Sequence, residues 1–184
     1  PKPLSLIQGL LAQATGPDDT VLDFFAGSGT TGHAVLALNA EDGGNRRFIL
    51  VSSTEATVDE PDKNVCRDIC QVRLARVISG YDYRTKDKLK HVEGIPGDFV
   101  YLRTKRIPRG KVLTRLSHQH IWIALQMLHL EQLNPAHPTG TIWEAGSEEN
   151  RLIYLPRVDA PTLAELDRKG LLTVGATIYA WQAE

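Results

Sequence analysis

The sequence is poor in sulfur and has no long apolar run. Cysteine occurs twice and methionine once among 184 residues, and no apolar stretch approaches the roughly 18 residues that span a bilayer. Cys66 and Cys70 lie four residues apart on a predicted helix, where a disulfide is geometrically poor. Two thiols without nearby histidines also make a poor metal site. These features exclude a disulfide-rich secreted domain and predict a cytoplasmic protein without membrane contact or bound metal.

The sequence also lacks an excess of charge of either sign. It carries 21 basic and 22 acidic side chains, for a formal charge of −1, so no overall field attracts nucleic acid. A role on DNA would need a local basic patch. With 42% hydrophobic residues the chain can bury one core, with room for a small appendage. Because it begins at Pro1 rather than at methionine, we expect it to be a segment of a longer protein.

One stretch, residues 21–34, has the layout of a ligand-binding turn. A short apolar run ends at Asp23, glycines follow at 27, 29 and 32, and a helical pattern begins within four residues. This strand–turn–helix order is typical of nucleotide and cofactor sites. Thr30 or Thr31 is predicted to cap the helix. Asp23 is predicted to face the crevice at the carboxyl end of its strand.

The glycine spacing alone leaves the ligand open, since it also satisfies the dinucleotide fingerprint. In that fingerprint the apolar strand runs straight into the first glycine, whereas here Asp23 stands four residues before it. A carboxylate there repels a phosphate and favours an ammonium or hydroxyl group. A phosphate-free, zwitterionic cofactor such as S-adenosylmethionine therefore fits better than NAD. The structural alternative is a glycine turn that only lets a helix pack closely on a strand.

The hydrophobic pattern predicts a β–α–β–α order in the first 80 residues, after an amino-terminal helix up to Ala14. Strands are predicted at 20–25 and 46–51, and helices at 30–38 and 65–78. The last helix is expected to carry Arg67, Arg73 and Arg76 on its outer face. His33, within the second helix, is expected to pack against the sheet rather than face a ligand.

After residue 80 the composition changes. Residues 81–97 are charged and turn-rich and are predicted to be a linker, followed by a small α/β extension at 98–184. Strands are predicted at 98–103, 151–155 and 173–181, and helices at 117–133 and 161–168. Four aromatic side chains look scattered and are expected in a core or an interface: Trp122, Trp143, Tyr154 and Trp181.

Three short motifs together resemble one enzyme family. They are Lys2-Pro3 before a Leu/Ile helix, the run Asp-Phe-Phe-Ala-Gly-Ser-Gly-Thr-Thr-Gly-His-Ala from Asp23, and Asn39 with the strand 46–51. Over residues 1–80 the chain resembles the amino-methylating DNA methyltransferases. It is most similar to the beta-class, adenine-specific enzymes, which include modification subunits of type III restriction–modification systems. The resemblance implies a partial Rossmann-like sheet for S-adenosylmethionine-dependent methyl transfer.

The resemblance also implies roles for individual residues. Lys2 and Pro3 correspond to the motif that contacts the methionine part of S-adenosylmethionine, and Asp23 to the carboxylate near its amino group. Many relatives end the second strand with an acid that accepts the ribose hydroxyls. Here Ser52 occupies that place, and Glu55 is the nearest acid. The loop and helix start that surround the cofactor correspond to Phe24, Phe25, Ala26, Gly27, Ser28, Gly29, Thr30 and Thr31.

The family's catalytic tetrapeptide, Asp/Asn/Ser-Pro-Pro-aromatic, holds the flipped base, and it does not occur in these 184 residues. In the beta order that motif precedes Lys-Pro. We therefore expect a carboxyl-terminal portion that has no catalytic residue of its own and is inactive alone. The whole enzyme would methylate adenine in DNA. The expected partners are DNA, a restriction subunit, and either a second copy or the missing catalytic half.

The sequence is also compatible with two functions other than DNA methylation. The chain could be a non-catalytic methylase-like module that binds DNA or a restriction subunit, or a fragment of a dinucleotide-binding oxidoreductase. A basic run without acids offers a local patch for DNA phosphates, although it could equally be a solvated loop. Its candidate residues are Arg103, Lys105, Arg106, Arg109 and Lys111.

Overall fold

The computed structural model describes residues 2–86, 88–134 and 138–181. The chain divides into two compact units, the first reaching Tyr101 and the second beginning at Leu102. The first unit combines helices with two two-stranded sheets, and the second combines helices with a three-stranded sheet, which confirms the α/β class.

The described residues of the first unit form four strands and three α-helices. A π-helical turn, Cys66–Cys70, leads directly into its third helix. The elements in chain order are α1 (Leu4–Ala14), β1 (Thr20–Asp23), α2 (Thr30–Asp42), β2 (Arg47–Leu50), α3 (Gln71–Ser79), β3 (Tyr81–Thr85) and β4 (Lys88–Val92).

Strands β1 and β2 pair in parallel and are connected through α2, as the apolar pattern predicts. Leu22 aligns with Ile49, and Asp23 aligns with Leu50, so both strands end at the same edge. One face of this two-stranded sheet is covered by helices. On the opposite face Leu22 and Ile49 are 50% and 52% exposed. The parallel pair therefore presents neighbouring apolar side chains on its uncovered face.

The core of the first unit lies between the covered sheet face, α2 and α3. Its fully buried members on α2 include Ala34 and Val35, both 0% exposed. Leu36 and Leu74 form a cluster into which Phe99 also packs. This packing fixes the positions of the carboxyl end of β1 and the start of α2.

Arg46 anchors the start of β2 to the two preceding helices. It is 7% exposed, its Nε donates to Thr15 Oγ1 (3.0 Å), and its Nη1 lies 2.8 Å from an Asp42 carboxylate oxygen. Asn39 completes the anchor, because its Nδ2 donates to the Arg46 carbonyl while its Oδ1 accepts from the Arg46 amide. The Asn39 and Arg46 positions noted in the sequence are thus joined by direct hydrogen bonds.

Replacing Arg46 should destabilise this unit. Arg46→Met removes the guanidinium that donates to Thr15 Oγ1 and pairs with the Asp42 carboxylate, so we expect the free energy of unfolding to fall by about 2 kcal/mol. Urea denaturation of the 184-residue chain measures this. Arg76→Met, at an exposed position on α3, is the control and should stay within about 0.5 kcal/mol of wild type. Equal losses in both variants would refute the anchoring role.

One local prediction is wrong, and one further stretch forms strands that the sequence pattern did not predict. The strand predicted at 98–103 does not form, although all six residues are described; Phe99 packs into the core instead, and Tyr101 Oη accepts a hydrogen bond from Asn64 Nδ2 (3.3 Å). The turn-rich stretch after residue 80 forms the antiparallel hairpin of β3 and β4. Its side chains are nearly all exposed, so hydrophobic alternation could not reveal it.

The second unit has a three-stranded sheet in the order β5-β6-β7. The β5–β6 pair is antiparallel, and β6 and β7 are parallel. The predicted helices and the strands near 151 and 177 are present, whereas β5 and α4 were not predicted. The elements are α4 (Val112–Arg115), α5 (His118–His129), β5 (Trp143–Gly146), β6 (Arg151–Leu155), α6 (Ala160–Arg168) and β7 (Thr177–Ala180).

The four aromatic residues that look scattered in the sequence meet in one cluster of the second unit. Trp122 and Tyr154 are buried and stack at a centroid distance of 6.5 Å, and Trp143 packs edge-on against both. Trp181 packs against the same cluster, and His118 Nδ1 lies 2.7 Å from Tyr154 Oη. These aromatic residues therefore belong to the core of the second unit, as the sequence predicts.

Within the described residues, none of the helices combines the length and apolar character needed to cross a membrane.

Candidate functional site

The candidate site begins at Asp23, the last residue of β1. One carboxylate oxygen, Oδ1, accepts a hydrogen bond from the Phe25 amide (2.9 Å), and Oδ2 accepts from the Thr31 hydroxyl (2.6 Å). Asp23 therefore links the strand end to the first turn of α2 across the glycine loop. Each oxygen retains a further lone pair for a ligand.

The loop of residues 24–29 is held by short backbone hydrogen bonds. The Ala26 amide donates to the Val51 carbonyl (3.1 Å), and the Gly29 amide donates to the Ala26 carbonyl (2.8 Å). Gly27 and Gly29 have φ of +50° and +75°, and residues that carry a Cβ atom rarely adopt such values. Among the described residues, a Cβ at Gly27 would meet only Phe25 O, 3.8 Å away, so the loop is open there.

Gly29 and Gly32 face inward instead. A Cβ at Gly29 would lie 2.7 Å from Cys70 Sγ, and one at Gly32 would lie 3.0 Å from a Leu50 methyl and 3.1 Å from a Leu74 methyl. These two glycines allow the loop and α2 to approach the π-helical turn, β2 and α3. The close-packing role considered from the sequence therefore applies to Gly29 and Gly32, while Gly27 remains free to face a ligand.

The prediction that Thr30 or Thr31 caps α2 is wrong. Gly29 occupies the cap position, in the left-handed conformation, without a capping side chain. Thr31 donates its hydroxyl to Asp23, and Thr30 accepts a hydrogen bond from Arg73 Nη1 (2.8 Å). Both threonines thus connect α2 to neighbouring elements, because the left-handed turn at Gly29 places their side chains inside the helix rather than before it.

Arg73 does not lie on the outer face of its helix, where the sequence predicts it. Its Nη1 lies 3.3 Å from Ser28 Oγ, and its Nη2 lies 3.3 Å from His33 Nδ1. It follows Cys70 by three residues and precedes Val77 by four, so it shares their buried side of the helix. That spacing could have indicated its direction.

His33 is half-buried and faces this arginine. Burial lowers the pKa of His33 below its usual range, and the adjacent positive charge of Arg73 lowers it further. Because a guanidinium only donates, His33 Nδ1 must accept, which makes the ring neutral with its proton on Nε2. His33 thus contacts Arg73 rather than the open side of the loop.

Stability should depend on pH through His33. Its folded-state pKa lies below the unfolded value, so the unfolded chain binds more protons as pH falls below about 6.5. We therefore expect the free energy of unfolding to rise with pH through this window and to level off above it. His33→Asn keeps a polar acceptor without titrating and should flatten the dependence between pH 5.5 and 7.5 in urea titrations. An unchanged slope would contradict this assignment.

A free thiol lies beneath the loop. Cys70 is buried, and burial is the largest of the causes that raise its thiol pKa to about 11, with neighbouring Cys66 contributing. A thiol with so high a pKa is a poor nucleophile at neutral pH. Both cysteines are free thiols, and the Cys70 side chain packs against Gly29.

The other predicted cofactor residues are exposed. Phe24 and Phe25 are 62% and 92% exposed, and Lys2 and Pro3 are exposed before the first turn of α1. Glu55 is exposed in the loop after β2, with a φ of +57°. The contacts of the structure connect Asp23 with the loop and Thr31; the roles of Lys2, Pro3 and Glu55 remain predictions.

The predicted DNA-contacting residues lie at the start of the second unit. All five side chains are exposed: Arg103, Lys105, Arg106, Arg109 and Lys111. Residues 103–108 have no regular structure, and a short 3₁₀ turn follows at Arg109–Lys111. Within the described ranges, no cluster of three or more histidine, cysteine, aspartate or glutamate side chains is arranged to hold a metal.

The site lies in the part of the chain that is similar to known proteins. Residues 1–67 match the DNA methylase family. The chain is 45% identical over 82 residues to the Mod subunit of the type III restriction–modification enzyme StyLTI of Salmonella typhimurium, covering 42% of this chain and 13% of that protein. It is 51% identical over 95 residues to the type II methyltransferase M.KpnI of Klebsiella pneumoniae, covering 50% and 23%.

A further relative gives the same result. The Mod subunit of the type III enzyme EcoP15I of Escherichia coli is 39% identical over 80 residues, which are 41% of this chain and 12% of that protein. The chain thus spans less than a quarter of the length of each of these relatives. The amino-terminal part of the chain, residues 1–67, is thus similar to DNA methylases, including the Mod subunits of type III restriction–modification enzymes.

Proposed function

We propose that the first unit binds S-adenosylmethionine as the cofactor region of an adenine-specific DNA methyltransferase. The observation that carries the proposal is the placement of Asp23 beside an open glycine loop, within the stretch that matches the DNA methylase family. Similarity to that family implies a methyl donor, and Asp23 favours one with an ammonium group and no phosphate. When bound, S-adenosylmethionine would supply the electrophilic methyl group.

The residues of the site fit this cofactor chemically. The Asp23 carboxylate has lone pairs left to accept from the amino group of the methionine part. At Gly27 the backbone is uncovered and leaves room for a ligand. We propose Phe24 to Gly29 as the surrounding loop, Lys2 and Pro3 as contacts to the methionine part, and Glu55 as the candidate acceptor for the ribose hydroxyls.

The arrangement of β1, α2 and β2 supports the proposal of a partial Rossmann-like sheet. Two parallel strands joined by a helix form the repeating unit of such sheets, and the ligand loop follows the first strand. We propose that the chain divides by function into a cofactor region at 1–80, a linker at 81–97 and an extension at 98–184. This functional division is separate from the division into two compact units.

We propose that the chain alone does not methylate DNA. The Pro-Pro-aromatic tetrapeptide that would hold the target base is not in the sequence, so no residue here is assigned to the transfer step. The whole enzyme would position the exocyclic amine of adenine in line with the methyl group. The uncovered apolar face at Leu22 and Ile49 supports contact with a further part of the enzyme or a second copy.

The exposed basic run supports a second proposal, contact with DNA phosphates by the second unit. Five cationic side chains within nine residues, none matched by an acid in the run, form a local basic patch on a near-neutral chain. Because the relatives are Mod subunits, a restriction subunit is the other proposed partner. A cytoplasmic location likewise remains a prediction from the two free thiols.

Isothermal titration of the 184-residue chain tests the cofactor proposal. We expect saturable, one-to-one binding of S-adenosylmethionine and no heat of binding from NAD under the same conditions. Binding of NAD without S-adenosylmethionine would refute the proposal and favour the oxidoreductase alternative. Binding of neither would favour the non-catalytic module, for which the salt dependence of DNA affinity then becomes the relevant measurement.

A further inference from the structure

The glycine loop is supported from one side by a single helical face. Cys70, the last residue of the π-helical turn, lies directly against Gly29, and Arg73 follows three residues later. Residues three apart on a helix project in similar directions, so the thiol and the guanidinium reach neighbouring positions of the loop.

Arg73 makes several contacts to the end of the loop at once. Its Nη1 donates to Thr30 Oγ1 at 2.8 Å and lies 3.3 Å from Ser28 Oγ and 3.5 Å from the Ser28 carbonyl oxygen. Its Nη2 donates to His33 Nδ1 at 3.3 Å. A planar guanidinium presents its donors in a fixed geometry, so these contacts fix the positions of Ser28 and Thr30 relative to α3.

The charge of Arg73 is not balanced by an ion pair in the described part of the chain. No described carboxylate lies within salt-bridge distance of it, although it is half-buried. It stands beside the amino terminus of α2, where the helix dipole is also positive. A permanent cation at that position is unfavourable in an empty site and becomes favourable beside a ligand that carries a carboxylate.

We propose that Arg73 is a positioning residue for the methionine part of S-adenosylmethionine. It acts through Ser28 and Thr30, which it fixes so that the loop is ordered before the ligand arrives, and its charge favours the ligand carboxylate at the site. This inference rests on the proposed cofactor function. It assigns no chemical step to Arg73, whose hydrogen-bond partners all belong to the loop and α2.

Titration calorimetry of three variants of the 184-residue chain tests the role. Arg73→Met should weaken S-adenosylmethionine binding by about tenfold, because the loop is no longer fixed before binding and the site loses a positive charge. Arg73→Lys keeps the charge but not the planar donor geometry and should fall between wild type and Arg73→Met. Arg76→Met, at an exposed position one turn later on α3, should bind as wild type.

A second ligand separates positioning from general damage. 5′-Methylthioadenosine shares the adenosine and sulfur but lacks the amino-acid part, so Arg73→Met should change its affinity less than threefold. Equal weakening of both ligands would overturn the proposal, as would an Arg73→Met affinity equal to wild type while wild type binds. If wild type binds neither ligand, the cofactor function and this role are both refuted.

A ligand-free measurement keeps the two proposals distinguishable. Because the Arg73 charge contributes to the lowered pKa of His33, Arg73→Met should raise that pKa toward its usual value in an NMR titration, whereas Arg76→Met should not. An unchanged His33 pKa in Arg73→Met would refute the contact itself, whatever the ligand does. If Arg73→Met does not fold, the affinities of Arg73→Lys for the two ligands are compared with those of wild type instead.

Discussion

Gly29→Ala should abolish measurable S-adenosylmethionine binding and lower the free energy of unfolding by about 3 kcal/mol. Two costs combine. A side chain at a φ of +75° is strained by about 1 kcal/mol, and the new methyl would lie 2.7 Å from Cys70 Sγ in a packed region, which costs about 2 kcal/mol more. Moving the loop away from Cys70 also displaces Ser28 and Thr30, so the ligand meets a different surface.

Gly43→Ala is the matched control for the strain. Gly43 ends the same helix with nearly the same φ, +72°, but a Cβ there meets no described atom within 4 Å. It should cost only about 1 kcal/mol in urea denaturation and leave ligand affinity unchanged.

The double variant Gly29→Ala/Cys70→Ala tests the clash. Removing the sulfur makes room for the new methyl, so the two substitutions should be less destabilising together than the sum of their separate effects. Strict additivity, or a Gly29→Ala loss no larger than that of Gly43→Ala, would show that the contact between loop and π-helical turn is not what requires glycine.

Asp23→Asn should weaken S-adenosylmethionine binding between about tenfold and a hundredfold with little loss of stability. The amide oxygen can still accept from the Phe25 amide, and the amide nitrogen can donate to the Thr31 hydroxyl, so the loop keeps its connections. What is lost is the negative charge that would face the ligand ammonium, and hydrogen bonds to charged groups contribute about 1.5–3 kcal/mol.

Asp19→Asn provides the control at the other end of the same strand. Asp19 precedes β1 and accepts a hydrogen bond from the Gly16 amide in an exposed turn, far in sequence from the glycine loop. Its replacement should leave the affinity unchanged in the same titration. Loss of binding in both variants, or in neither, would contradict the assignment of Asp23 to the ligand ammonium.

The strand–loop–helix order around Asp23 could be predicted because its signals are local. A short apolar run, closely spaced glycines and a following helical period each act within a few residues, and β1, α2 and β2 form within a few residues of their predicted bounds. The strand predicted at 98–103 had the same kind of local signal. It failed because a strand needs a partner, and Phe99 instead gains more by packing beside Leu36 and Leu74.

The sequence by itself determined the α/β class of the first unit, its glycine loop and its resemblance to DNA methyltransferases. The match of residues 1–67 to the DNA methylase family confirms that resemblance. These depend on backbone torsions and residue chemistry at neighbouring positions. Only the tertiary structure decided which glycine faces the open side, that Thr30 and Thr31 connect elements instead of capping, and that Arg73 points at the loop. The Arg73 contacts join α3 to residues more than 40 positions earlier, and the Thr31 contact crosses the glycine loop to Asp23; the local sequence pattern does not specify which atoms meet in either case.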